Sequence, residues 1–228
     1  MNLSVAVVGA SGAGKTLFCI NFAEYLGAHS LSYTEAGKAA GRRRALLSPA
    51  AARRLMVEHG RRSNGVVRTF AVHLPTQPYR RLVLIDTAAL KEKSPLPRPE
   101  RSRLVLTLQA IESADLVLLL IDLSCSDPAI LEFNDRVGRY LEDYCRQQGK
   151  PFLIAGSKAD LLSGPYKESH FAAPGFSLLL ISSVTRAGFA RLKKMILAAP
   201  FSQKALSNDM VEKGHGEDPY EQGQKDTF

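Results

Sequence analysis

The sequence predicts a three-layer α/β domain, and three observations carry that prediction. Short, almost continuous apolar runs recur along the chain. Segments with helical apolar spacing separate them, and the first run passes through a glycine-rich turn into a helix. Strands covered on both faces of a mainly parallel sheet read as such runs, and alternating strand and helix signals imply helices packed on both sides.

The runs "LSVAVV" (3–8), "RLVLID" (81–86), "DLVLLLID" (115–122), "PFLIAG" (151–156) and "FSLLLIS" (176–182) are the expected buried strands. "GVVRTFAVHL" (65–74) differs, with Val67, Phe70, Val72 and Leu74 alternating imperfectly with polar residues. A Pro-containing turn, "PTQPYRR", joins it to the 81–86 run, which predicts a hairpin and an antiparallel edge strand. Helices are expected over 15–26, 102–113, 127–148 and 187–198; in the last, Phe189, Leu192, Met195 and Ile196 share one face. The region 36–64, with Arg42, Arg43, Arg44, Arg53, Arg54, Arg61 and Arg62, reads as a basic helical insertion before the edge strand. From Asn208 the chain turns polar and mildly acidic, so a folded domain over 1–200 and a disordered tail over 201–228 are expected.

Composition narrows the class. The 228 residues are 45% hydrophobic, enough for one full core, yet no window approaches the eighteen apolar residues of a membrane span. The N-terminal run has no basic region before it and stops at Gly9, unlike a secretory signal. Cys19, Cys125 and Cys145 match neither a disulfide framework nor a metal-ligand spacing, which suits a reducing, cytoplasmic setting. The net charge of +8 is concentrated between Lys38 and Arg62. Such an arginine cluster suits RNA phosphates, another polyanion or a solvated surface; no aromatic residue interleaves there, so base stacking is not expected.

The turn after the first run is Gly9-Ala10-Ser11-Gly12-Ala13-Gly14-Lys15-Thr16, which satisfies G-x-x-x-x-G-K-[ST] at every fixed position and in the required strand-to-helix context. Glycines let the backbone N–H groups from Ser11 to Leu17 turn inward around phosphate oxygens, and the helix N-terminus adds partial positive charge. Lys15 would neutralise the β- and γ-phosphates, and the Thr16 hydroxyl would ligate Mg²⁺. Asp86, at the tip of the 81–86 run, is the expected second magnesium residue, acting through water. Ser157-Lys158-Ala159-Asp160 follows another strand. There Asp160 would accept from N1–H and the exocyclic amino group of guanine, with the Lys158 stem along the ring. Ser182 and Ser183 follow the last strand, where a backbone N–H would meet guanine O6.

In this order, GASGAGKT, DTAA, SKAD and SSV resemble the guanine-nucleotide motifs of P-loop GTPases. "LVLIDTAAL…TLQAIESADLVLLLIDLS" and "LLLISSVTRAGFARLKKMI" narrow the resemblance to the Era-like GTPases of the translation-factor-related class, over about residues 3–198. That resemblance implies a six-stranded, mostly parallel sheet, GTP or GDP with Mg²⁺, and slow hydrolysis coupled to switch-loop rearrangement by an effector or activating protein. The chain departs from the pattern at several positions. Ala89 stands where D-x-x-G has glycine, leaving its N–H for the γ-phosphate within narrower dihedrals; Leu90 follows it, where many small GTPases carry a water-orienting glutamine. Ser157 replaces the usual asparagine of the base motif, and Val184 the lysine after the Ser-Ala pair. Gly12 replaces the asparagine of potassium-using relatives, so no potassium requirement is expected.

The switch threonine that would cap magnesium is assigned to Thr34, with Ser63 and Thr69 as alternatives nearer the edge strand. The leading expectation is a slow GTPase switch. Two rivals are a nucleotide-binding platform with little turnover, favoured by Ala89 and Leu90, and an ATP-dependent small-molecule kinase using the basic insertion as a lid.

Overall fold

The computed structural model describes residues 2–37, 41–59, 67–74, 81–91, 97–162 and 178–199. The 201–228 tail lies outside the described residues, as do 38–40 and 60–64 of the basic segment. In chain order come β1 (Asn2–Val8), α1 (Lys15–Tyr25), β2 (Leu31–Gly37), β3 (Gly41–Leu47), α2 (Pro49–His59), β4 (Val67–His73) and β5 (Arg81–Asp86). Then follow α3 (Arg98–Ser113), β6 (Leu116–Asp122), α4 (Pro128–Gln147), β7 (Phe152–Ser157), a 3₁₀ turn (Ala159–Leu161), β8 (Leu179–Leu180) and α5 (residues 189–199).

One eight-stranded sheet runs β3-β2-β4-β5-β1-β6-β7-β8. From β5 to β8 every pairing is parallel, with β1 in the middle. Period-2 alternation along β1 builds the three layers. Leu3, Val5 and Val7 face a core shared with Phe18, Phe22, Phe189 and Ile196, from α1 and α5. Ala6 and Val8 face a second core with Ala110, Ile111 and Cys145, from α3 and α4. On the first face the rings of Phe22 and Phe189 meet edge-on at 5.1 Å, locking α5 against the helix that opens the glycine-rich turn.

The mostly parallel sheet with an antiparallel edge is as expected, and β4 does pair antiparallel with β5. The edge itself is larger than expected. β4 is not the last strand; β2 pairs antiparallel with it and β3 antiparallel with β2, so among the described residues eight strands stand where six were expected. The basic segment is correspondingly not one helix. Its first part is the strand "GRRRALL", and only from Pro49 does it become α2. A helix-start signal marks that switch: Ser48 Oγ accepts from Ala51 N–H at 3.2 Å, and Pro49 occupies the first helical position. Arginine and alanine favour helix locally, but pairing along β2 overrides that preference, because strand formation depends on the neighbour more than on the residue. Arg44 is exposed on this outer strand, a charge of the kind that discourages edge-to-edge pairing with other chains.

The cysteines give a direct check on the layers. Cys19 is buried beneath α1, and burial pushes its thiol well above the usual range; burial likewise pushes Cys145 up to about 11. Cys125 is partly exposed. A thiol reagent should therefore label one cysteine quickly in the native protein and all three after unfolding. Fast native labelling of Cys19 or Cys145 would contradict this packing.

Candidate functional site

The glycine-rich turn lies at the carboxyl end of β1, at the centre of the sheet. Gly9 is there because nothing larger fits: a Cβ would stand 2.4 Å from the Leu120 carbonyl oxygen of neighbouring β6. Gly14 adopts φ 85°, the left-handed turn that aims the chain into α1. Lys15 is buried and doubles back, its ammonium donating to the carbonyls of Gly9 at 2.9 Å and Ala10 at 2.8 Å. Burial pushes this ammonium below the usual lysine range, and the Asp86 carboxylate pulls it part of the way back. The loop thus holds a cation spanning its own backbone, ringed by the N-terminal amides of α1.

Asp86 ends β5 and is 1% exposed. The Thr16 hydroxyl donates to its Oδ2 at 2.7 Å, so two residues seventy positions apart meet. Burial pushes the Asp86 carboxyl above the usual range, against the opposing pull of Thr16, Arg68 and Lys15. Its Oδ1 is buried with no hydrogen-bond partner. A hydroxyl and a carboxylate with one vacant oxygen are hard oxygen donors, and they fit Mg²⁺, which takes few protein ligands and keeps several waters. Thr16 and Asp86 are the residues that would hold it.

Beyond Asp86, Thr87 Oγ1 donates to Val7 O at 2.9 Å. The parallel ladder then continues past the strand ends, with Leu90 N–H donating to Gly9 O at 3.1 Å and Ala10 bridging Leu90. Ala89 is half-buried between these anchors, and Leu90 packs against the second core.

The base-motif residues converge on the same turn from the other side. Ser157 is buried, and its hydroxyl lies 2.8 Å from Ala13 O and 3.1 Å from Ile121 O. The short side chain therefore still ties this loop to the glycine-rich turn. Lys158 takes φ 60° and donates to Asp122 Oδ2 at 2.6 Å. Burial pushes the Asp122 carboxyl up, but hydrogen bonds from Lys158 and Ser124 outweigh it and hold the group below its usual range. Asp160 is exposed in the following 3₁₀ turn. Ser182 Oγ accepts from the N–H groups of Val184 at 3.2 Å and Thr185 at 3.0 Å, shaping the loop after β8. Ser183 is held by Asn21, whose Nδ2 donates to its carbonyl at 2.7 Å.

No family model matches the chain, and no curated protein matches it in sequence. Solved structures do. An Aquifex aeolicus Era variant bound to GDP and AlF4⁻ superposes with a TM-score of 0.56 at 21% identity, covering 87% of this chain and 56% of Era. The G domain of the T. maritima FeoB iron transporter gives 0.55 at 16% identity, covering 87% of this chain and 99% of that domain. A GTP-binding protein from Sulfolobus solfataricus in complex with GDP gives 0.52 at 18% identity, covering 88% and 53%. The fold is that of the P-loop GTPases. The chain spans little more than half the length of Era and of the Sulfolobus protein, and almost all of the FeoB G domain.

Within this G-domain fold, one expected site residue is not brought to the others. Thr34 lies inside β2, paired with Thr69 of β4 and Arg44 of β3. Two strand spacings, roughly 10 Å, separate it from β5. Held in that ladder, Thr34 pairs with its strand neighbours and is not brought to Thr16 or Asp86. Thr69 pairs with Ile85 inside the same ladder, and Ser63 lies outside the described residues.

Several residues of the site escaped the sequence reading. Arg68, in β4, is buried with its Nη1 3.6 Å from Asp86 Oδ2, and its Nε donates to the Tyr33 hydroxyl at 3.3 Å. Arg53 of α2 donates to Asn21 Oδ1 and to Glu24 Oε2, both at 2.9 Å, while Arg186 reaches Glu24 at 2.8 Å. The hydrogen bond from Arg53 holds the Glu24 carboxyl below its usual range. Part of the basic segment is therefore fastened to α1 and, through Asn21, to the loop carrying Ser183. No spacing rule links Arg53 to Asn21; an unsatisfied polar residue on the apolar α1 was the one available signal.

Proposed function

We propose that the chain binds guanine nucleotides with Mg²⁺ and hydrolyses GTP slowly, as a G domain completed by an effector or activating partner. The observation that carries this reading is the joining of two loops: Ser157 Oγ holds the turn that bears Lys15 beside the loop that bears Asp160. That joint supports reading the phosphate cradle and the Asp160 carboxylate, as acceptor for the guanine N1–H and amino group, as parts of one site. The solved relatives include proteins bound to GDP, which fits.

Lys15 and the amides from Ser11 to Leu17 would bind the phosphates and stabilise charge that develops during in-line attack by water. Magnesium, held by Thr16 and Asp86, would supply neutralisation of phosphate charge. Leu90 has no group to orient water, and its amide is already engaged by Gly9. Unaided turnover is accordingly slow, and a partner must add the missing group. The same anchoring favours a second reading, a nucleotide-dependent platform with almost no turnover.

One Era structure carries a segment of 16S ribosomal RNA. For this chain, RNA or another polyanion would meet the basic segment, where Arg44 and Arg54 are exposed and Arg53 is already occupied by Glu24. Among the described residues no helix is long and apolar enough to cross a membrane. Three free thiols suit a cytoplasmic setting.

The test is equilibrium binding of fluorescent GDP, GTP and ATP to the wild type and to Asp160→Ala. Guanine nucleotides should bind at least about a hundredfold more tightly than ATP, and the substitution should remove most of that preference, as expected where a site's hydrogen bonds lose their partners. Equal affinity for ATP, unchanged by the substitution, would sink the guanine reading and return the kinase alternative.

A further inference from the structure

Arg68 sets a buried cation beside Asp86. The register of β4 on β5 sets Arg68 directly opposite Asp86, and both side chains are buried. Its Nη1 approaches Asp86 Oδ2, the oxygen that also accepts from Thr16. The guanidinium is not a loose surface group: Nε donates to the hydroxyl of Tyr33, a residue of β2 that is only 4% exposed. Strand register, a tyrosine and a carboxylate therefore fix a positive charge against the residue that would carry the metal's water.

Resting on the nucleotide reading above, we propose that Arg68 is a built-in counter-charge for Asp86 that makes nucleotide binding partly independent of magnesium. In a phosphate-binding site without metal, a buried carboxylate repels the incoming phosphates, and the divalent ion normally removes that repulsion. Here the carboxylate is already paired, so the phosphates meet a nearly neutral group. The same cation also raises the magnesium concentration needed, because the ion must share Asp86 with a fixed charge a few ångströms away. Asp86 Oδ1, buried and unpartnered, is the oxygen left for that sharing. Tyr33 and the β2 strand thereby gain a role in the site although neither reaches the phosphate loop.

The experiment compares dissociation constants for fluorescent GDP and ADP in excess chelator and in saturating Mg²⁺, for the wild type, Arg68→Lys and Arg68→Met. Wild-type affinity should fall less than about tenfold on chelation, Arg68→Met at least about a hundredfold, with Arg68→Lys between, since a charge at this range is worth that order in a partly buried site. The Mg²⁺ concentration for half-maximal tightening should drop in Arg68→Met. A wild type that loses a hundredfold or more on chelation overturns the proposal, whatever the variants do; so does a Met variant with an unchanged chelation ratio. Circular dichroism and melting confirm that each variant folds, and if Arg68→Met does not, the wild type and Arg68→Lys decide. Binding of ADP in place of GDP would overturn the guanine reading yet still report on Arg68, which is paired with Asp86. Binding of neither overturns both.

Discussion

Lys15→Met is expected to lose GDP and GTP affinity by about two to three orders of magnitude, the worth of the charge-assisted hydrogen bonds that a buried ammonium makes to phosphate. The same variant should fold as stably as the wild type, or more so, before any ligand is added. The reason lies in what the ammonium touches. Its partners are two neutral carbonyls, and burial penalises the charge enough to push its pKa down. A methionine of similar volume removes that penalty. Neither carbonyl is orphaned by the change, because Gly9 O keeps the Leu90 N–H at 3.1 Å and Ala10 O keeps the Ala13 N–H at 3.4 Å. Melting curves and nucleotide titrations on one preparation check both halves. A variant that melts lower yet binds GDP normally would make Lys15 a structural brace.

That opposition between stability and function explains which parts of the site were legible in the sequence. A glycine-rich turn followed by Lys15 and Thr16 serves a ligand's geometry, and its constraints are local: left-handed dihedrals, no side chains, a cation at fixed spacing. Local constraints leave a pattern in consecutive residues. The buried parallel strands are legible for a related reason, since burial on both faces demands the unbroken apolar runs from Val5 to Val8 of β1 and from Leu116 to Ile121 of β6. Tertiary pairing leaves no such trace. Arg68 and Asp86 are eighteen positions apart and meet only because β4 and β5 register as they do. Among the residues of β2 and β3 whose burial is described, Leu31 and Tyr33 are the buried ones, and the strand character comes from lying beside β4. Thr34 was assigned by its distance from the phosphate loop along the chain. The hairpin of β2 and β3, followed by α2, absorbs that length and places the threonine in a ladder.

Gly188→Ala should be the most damaging glycine-to-alanine change among the described residues, costing about 3 kcal/mol or more through left-handed strain and overpacking together. Gly188 adopts φ +76°, and a Cβ there would lie 2.2 Å from the Leu180 carbonyl oxygen and 2.9 Å from Ile181 Cγ2. The first of these is backbone and has nowhere to go. Leu180 belongs to β8, and Ile181 N–H donates to Gly156 O while Ile181 O accepts from Ala159 N–H. Pushing that strand outward therefore moves the loop carrying Lys158 and Asp160. It also moves Ser182, whose N–H donates to Ala187 O beside the new methyl. Stability and base recognition should fail together: melting falls by roughly 6–12 °C for a domain of this size, and guanine affinity drops while the phosphate turn stays intact. Pyrophosphate binding separates the two effects, because it needs Lys15 and the turn but no base loop. A Gly188→Ala protein that keeps its melting temperature and its preference for GDP would show that β8 gives way freely, and the base-recognition loop would then need another support than the one described.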